Sequence, residues 1–472
     1  MEPGVRIRVE VRCSAAVGLA LACSSILSGQ TSDSFQRSVP TPPKPTPPIA
    51  VTLDEAIQRG LRANLGLLTR GTTSMAVRAQ RVRALSALLP QLSGELSQNL
   101  QQVNLETLGL AIGSPFGQLL GIPRVVGPFS YQLGQVNVYA PILDWNARKN
   151  LGAAKANEQA AWLSTLDARD LVVQAVVNAY LRIVAGMSRA ESLEAQVVTA
   201  ETVYRRAVDL KTAGLVPAID VLRAQVEWQM QQQRLLVQIN QIDNDKLVLG
   251  RIIGFPPSQI FDLADSMRFT PLRGVTLPDA IHKALERRPD YQSAAKSLEA
   301  AEESVRAARA QWYPVVDLSG YYGFAGVNVG RSHGVFLVTG ALTFNIFNGG
   351  RIHADIEQAR ALREQRANEL ADLGGQIEYQ VRAAFLDIQS AATRVAVAQS
   401  NVDLAARTLV QARDRFQAGV TDTLEVVQAQ ESVATASDDL INATYTHNAA
   451  KAALARAMGM AEQGVKQLIE VK

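Results

Sequence analysis

Apolar residues recur three and four positions apart along two very long stretches of this chain, and alternate with small or polar residues along four short ones. From about Ala147 to Thr212 no proline occurs, and Leu171, Val172, Ala175, Val176, Ala179, Tyr180, Ile183 and Val184 keep helical spacing. This predicts one continuous helix, and Arg351 to Gln417 predicts another. At ~1.5 Å per residue each rod is roughly 100 Å long, well beyond the dozen or so residues of an average globular helix. Each rod stops at a glycine, Gly214 or Gly419, the residue that most readily ends a helix in the left-handed conformation. Return helices follow from Ala218 to Ile253 and from Thr423 to Met458, making helical hairpins over about 147–253 and 351–458. In the second turn Thr421 and Asp422 offer capping oxygens. Alanines such as Ala179, Ala185, Ala190, Ala383, Ala391 and Ala398 lie on more than one face, so neighbours can approach from two sides. That suits a wall of helices better than a two-stranded coil, with an ordinary elongated coiled coil as the alternative.

The short stretches precede the rods. Val316, Leu318, Gly320, Tyr322 and Phe324 alternate with Asp317, Ser319, Tyr321, Gly323 and Ala325, and the pattern resumes from Phe336 to Ile346. Strands are expected over about 314–327 and 335–347, and, from weaker alternation, over about 90–105 and 131–143. An apolar face opposite a small or polar one is the mark of a transmembrane barrel strand, and about ten tilted residues cross a bilayer. Trp312, Tyr313, Phe324, Phe336 and Phe344 suit the aromatic girdle at the membrane surface. Four strands cannot close a barrel, and an open edge in lipid leaves backbone groups unpaired. Closure takes at least about 8 strands, so copies must combine; two, three or four chains all remain open.

The chain states this plan twice. Val51-Thr52-Leu53 returns as Val275-Thr276-Leu277, and Leu89-Pro90 as Tyr313-Pro314, a shift of 224 residues. Asn178-Ala179-Tyr180-Leu181 answers to Ala383-Ala384-Phe385-Leu386, and Ala213-Gly214-Leu215 through Gln225 to Ala418-Gly419-Val420 through Gln430, a shift of 205. The difference of 19 residues predicts an insertion in the first copy, in the Gly-rich segment from about 107 to 129. Duplication fixes the architecture before any local assignment. The expected layout is a signal peptide 1–22, a Pro-rich tether 23–50, repeat 1 over 51–260, a linker 261–274, repeat 2 over 275–460 and a tail 461–472.

Composition changes this picture little. The net charge of +3 on 472 residues, with basic and acidic side chains interspersed, gives no nucleic-acid footprint. Arg6, Arg8 and Arg12 precede a short apolar run that ends in Ala20-Leu21-Ala22, which reads as a secretory signal. Cys23 follows directly, a candidate for lipidation or an idle thiol. Both cysteines, Cys13 and Cys23, lie in this leader, so no disulfide framework is expected in the exported protein. No later segment has ~18 uninterrupted apolar residues, so no spanning helix is expected. The four histidines, His282, His333, His353 and His447, are scattered. No zinc-protease, Walker, dinucleotide or paired-cysteine motif occurs. Neither an enzyme nor a cofactor is indicated. Gly349-Gly350 reads as a corner and Gly374-Gly375 as a helix irregularity. The competing non-enzyme class is a periplasmic coiled-coil scaffold or surface lipoprotein without a pore.

With these motifs assembled, the chain resembles the TolC-like outer-membrane efflux proteins over nearly its whole mature length. The resemblance rests on the two Val-Thr-Leu-x-x-Ala openings, the Pro90 and Pro314 strand entries, the corner Asn345-Ile346-Phe347-Asn348-Gly349-Gly350-Arg351, and the paired hairpin signatures. Pro141-Ile142-Leu143-Asp144-Trp145-Asn146 departs from the double-glycine corner, so the first corner is expected to turn differently. The resemblance implies a mainly α fold with transmembrane β: a homotrimer whose four strands per chain build a 12-stranded outer-membrane barrel continuous with a long periplasmic α-helical barrel. It implies the exit duct of a tripartite efflux or type I secretion system. A periplasmic adaptor and an inner-membrane pump of RND, ABC or MFS type open it at its periplasmic tip. Gly214, Leu215, Val216, Gly419, Val420 and Thr421 would be the docking tips.

At the gate, the resemblance matches Asp220 to an acidic link position and Glu425 to an acidic ring position. Where relatives carry basic, tyrosine and second acidic residues, this chain has Thr421, Phe416 and Gln428. A carboxylate repeated by symmetry around an opening attracts cations. The same two acids also suit the first turn of a helix through its dipole, and both readings stand.

Overall fold

In this computed structural model, residues 34–40, 49–108, 125–266, 268–418, 420–421 and 423–468 are described. The signal segment, Cys13, Cys23, most of the tether, residues 109–124 of the Gly-rich segment, Gly419, Asp422 and the last four residues of the tail lie outside them. The chain divides into two units, and the two rods contribute to both.

The first unit takes residues 71–164 and 289–376. Its centre is a sheet of β2 (Gln91–Asn104), β3 (Val125–Leu143), β5 (Val315–Gly326) and β6 (Ser332–Thr343). Strand order is β2-β3-β5-β6, every pairing antiparallel. The register carries one parity across all four strands, since Leu92 pairs with Val138, Val138 with Gly320 and Gly320 with Val338. Leu96, Val136, Tyr322 and Phe336 share that face, and all four are exposed in the single chain. Ser93, Asn137, Ser319 and Thr339 occupy the other face. The period-two pattern is thus realised as a two-sided sheet, with most of the large apolar side chains on one side and most of the polar ones on the other. Helices α2 (Leu65–Ser86) and α6 (Pro289–Ala310) lead into the two strand pairs, and Ala308 packs on Ile352 and Ile356.

The second unit takes residues 1–70, 165–288 and 377–472, of which the described part begins at residue 34. Most of α3 (Trp145–Thr212) and α7 (Arg351–Gln417) belongs here, with the return helices α4 (Ala218–Ile253) and α8 (Thr423–Ala457). The repeated Val-Thr-Leu openings prove to be helix caps. Thr52 forms a capping box with Glu55 at the start of α1 (Leu53–Ala63), and Thr276 accepts from the Asp279 amide at the start of α5 (Leu277–Arg287). The core gathers Ile57, Val172, Val176, Tyr180, Ile183, Leu249 and Ile253. Tyr180, fully buried, lies 2.7 Å from Asp265 Oδ2 and 3.1 Å from the Val51 carbonyl. One stretch of α3 is long and apolar enough to cross a membrane, but 56% of it is buried, so its hydropathy serves this core.

Several boundaries move. Residues 49 and 50, expected in the tether, join Val51 in β1 (Ile49–Val51), which pairs in parallel with β4 (Phe261–Leu263) from the expected linker. Strands of three residues are too short to show alternation; Val51, Phe261 and Leu263 reach the core through them. The expected tail contains α9 (Ala461–Leu468), held by buried Ala461 and Val465. β3 begins at Val125, inside the expected insertion, and β6 ends at Thr343, leaving Phe344 and Ile346 beyond the strand. Gly374-Gly375 is uninterrupted helix, not an irregularity.

Candidate hairpin-tip site

Both rods end in a six-to-one backbone hydrogen bond. Gly214 takes φ +75°, and the Leu215 amide donates to the Leu210 carbonyl at 2.9 Å. In the second copy the Val420 amide donates to the Arg415 carbonyl at 3.0 Å. This six-to-one bond closes a helix with a left-handed residue, and it leaves Leu215 and Val420 strongly exposed, with Val216 half-buried beside them.

Behind the turns the four helices share an apolar cluster of Val203, Ala207, Val221, Ala224, Leu409, Ala412, Phe416, Val426 and Ala429. Phe416 is 4% exposed: the ring faces this core, with no hydroxyl to spend on a partner. Asp220 sits at the cluster's edge, 5% exposed, and the fully buried Thr423 donates its hydroxyl to Asp220 Oδ1 at 2.9 Å. Arg223 Nη1 stands at 3.5 Å from the same oxygen. A buried carboxylate needs such donors, and Thr423 supplies the short one from the other repeat.

Glu425, the counterpart of Asp220, does something else. Its Oε1 lies 2.9 Å from Arg415 Nη1, and the Thr421 hydroxyl donates to its Oε2. Its charge is neutralised inside its own hairpin, with both side chains partly exposed. Gln428 is exposed. Two residues at this site, Thr423 and Arg415, escape sequence reasoning. The available signal was Arg415 in the last turn of one helix and Glu425 in the first turn of the next.

Further along, α3 and α4 are tied to α8. Arg234 makes two hydrogen bonds to Glu431, at 3.0 and 3.2 Å. Arg189 bonds Asp438 and, at 2.8 Å, Asn442. Tyr204 stacks on Trp228 with centroids 5.4 Å apart. Among the described residues no group of three or more His, Cys, Asp or Glu side chains could hold a metal ion.

The strand-to-helix corners differ as expected. In the second, Gly349 and Gly350 have φ of +63° and +86°, and Asn348 O accepts from the Arg351 amide at 3.3 Å. The first needs no glycine, because Asp144 Oδ1 accepts the Ala147 amide at 2.8 Å and caps the rod directly.

The sequence profile of a family described as "Outer membrane efflux protein" matches residues 58–254 and 280–460. The pyoverdine export outer membrane protein OpmQ of Pseudomonas aeruginosa is 25% identical over 314 residues, 63% of this chain and 63% of OpmQ. The toluene efflux pump outer membrane protein TtgC of Pseudomonas putida is 24% identical over 429 residues, 86% of this chain and 82% of TtgC. Among solved structures, the outer membrane protein VceC of Vibrio cholerae superposes with a TM-score of 0.73 at 20% identity, covering 86% of this chain and 96% of VceC.

Proposed function

The chain belongs to the outer membrane efflux protein family, matched through both of its repeats, and from that premise we propose that three copies close into the exit duct of a tripartite efflux or secretion system. The observation that carries this is the sheet. One face carries a run of exposed apolar side chains, among them Leu92, Leu96, Val136, Tyr322 and Phe336, and β2 and β6 form its two edges within one chain. In lipid such edges must be paired, and four strands taken three times give the ~12 that close a barrel in the outer membrane. Uncovered apolar side chains also run along α4, at Ile219, Leu222 and Val226, and along α7, at Leu386, Val397 and Leu404. Such stripes suit packing against the helices of neighbouring copies.

The hairpin tips are the gate in this reading. Asp220 with Thr423 latches the two hairpins of a chain together, and Glu425 with Arg415 and Thr421 braces the second. Phe416 fills the core beneath them, and Gln428 stands exposed where relatives would add charge. Leu215, Val216 and Val420, at the hairpin turns of Gly214 and of the second copy, are the surface for the periplasmic adaptor, which couples the duct to an inner-membrane pump of RND, ABC or MFS type. Cys23, exported behind its signal segment, is the site for lipid attachment.

Planar-bilayer recording of the purified protein tests the duct. Stable conductance is expected, and Asp220→Ala with Glu425→Ala should raise it and shift its cation preference. Persistent silence from folded wild-type oligomers, together with release from membranes by carbonate, would leave the pore-free scaffold instead.

A further inference from the structure

The two rods begin with cations where helix electrostatics favours anions. The N-terminus of a helix carries partial positive charge, yet neither α3 nor α7 has an acid in its first turn. Arg148 stands in the first turn of α3, and Arg351 opens α7. Both are exposed. Among the described residues neither guanidinium has a carboxylate partner; that of Arg148 lies 5.3 Å over the Trp145 ring.

Three neighbouring bases are committed: Lys149 to Glu303 at 3.3 Å, Arg306 to Glu303 and Arg363 to Glu302 at 3.6 Å. Nearby acids are committed too. Asp144 caps α3, and Asp355 accepts from Gln311 at 3.1 Å. Asp317 lies on the polar face of the sheet.

The surroundings of the two free arginines are apolar. β3 ends at Leu143 and β6 at Thr343, while β5 begins at Val315, so their flanking residues collect at one end of the sheet. There Ile142, Trp145, Tyr313, Phe344, Ile346 and Phe347 are exposed, Phe347 to 88%. These exposed apolar residues flank the strand ends next to the two arginines in sequence. Aromatic residues beside unpaired cations are the composition of a membrane–water boundary, where basic side chains attract anionic headgroups.

We propose that Arg148 and Arg351 bind the phosphates of anionic phospholipids in the periplasmic leaflet around the duct, and so set the depth at which its sheet sits. The inference rests on the reading of the apolar sheet face as lipid-facing. A guanidinium presents a planar fork of donors that matches phosphate oxygens, and Trp145 and Phe347 would occupy the glycerol level beside it.

The test uses the full-length channel in nanodiscs of phosphatidylcholine, alone or mixed with phosphatidylglycerol. Lipids retained after mild delipidation are counted by native mass spectrometry. Wild type is expected to retain phosphatidylglycerol several-fold over phosphatidylcholine. Arg148→Gln with Arg351→Gln should abolish that preference, and Arg148→Lys with Arg351→Lys should keep much of it. The same preference in the Gln double variant overturns the proposal. So does inorganic phosphate displacing phosphatidylglycerol, which would identify a free-anion site. Conductance recorded in parallel separates the two ideas: a conducting wild type without lipid preference sinks only this inference, whereas a silent one sinks the duct reading beneath it.

Discussion

The hydroxyl of Thr423 donates to the carboxylate of Asp220 across 2.9 Å and joins the opening turn of α8 to that of α4, one repeat to the other. Ala218, the counterpart of Thr423 in the first copy, has no such group, and Glu425, the counterpart of Asp220, turns instead to Arg415. Two acids at equivalent positions have thus become a cross-link and an internal brace.

Thr423→Val keeps the shape and removes the donor, leaving the buried Asp220, among the described residues, with the long Arg223 contact alone. A buried acceptor left unsatisfied costs about 1–3 kcal/mol. Faster amide exchange at the start of α8 and a raised closed-state conductance are expected. Glu425→Gln, in a partly exposed pair, should cost under ~1 kcal/mol. Equal effects from the two changes would contradict the latch.

Tyr180 holds Asp265, whose Oδ2 also accepts the Leu53 amide at 2.8 Å. Burial, followed by the hydrogen bond to Asp265, pushes the phenol well above its ordinary pKa, so it remains a donor at all working pH. Tyr180→Phe is predicted to lower stability by about 1–3 kcal/mol, although its counterpart in the second copy is Phe385. Chemical denaturation of the two proteins measures the difference.

His447, fully buried, has its ring 4.7 Å from Phe269. Burial first, and the charge of Lys451 second, lower its pKa below the ordinary 6.5. The folded state therefore favours neutral imidazole, while the unfolded chain takes up a proton below about pH 6.5. Stability from this site is fully present above that pH and falls as the pH drops through 6.5 toward the lowered value. In His447→Gln that part of the pH dependence of the thermal midpoint should vanish.

Gly254 ends α4 at φ +82°, and a Cβ there would lie 2.4 Å from the Ala63 Cβ. Gly349 has φ +63° but open space around it. Left-handed strain alone costs about 1–2 kcal/mol, and forced overpacking adds roughly 1–3 kcal/mol. Gly254→Ala should therefore lower the thermal midpoint clearly more than Gly349→Ala.

The amino-acid order by itself determined the features that depend on local periodicity. The rods, the stop of the first at Gly214, the four alternating strands and the duplication were all legible, because a helix or strand face is written in neighbours a few residues apart. The Gly349-Gly350 corner was legible for the same reason, and so was the departure of the first corner from it, but the Asp144 cap there was not. What only the tertiary structure decided joins residues far apart in the chain. Ile49–Val51 finds Phe261–Leu263, Thr423 reaches Asp220, and Phe416 turns into the apolar cluster rather than toward a gate partner. These choices depend on which surfaces meet when distant helices pack, and no spacing along the sequence encodes a contact made across some 200 residues.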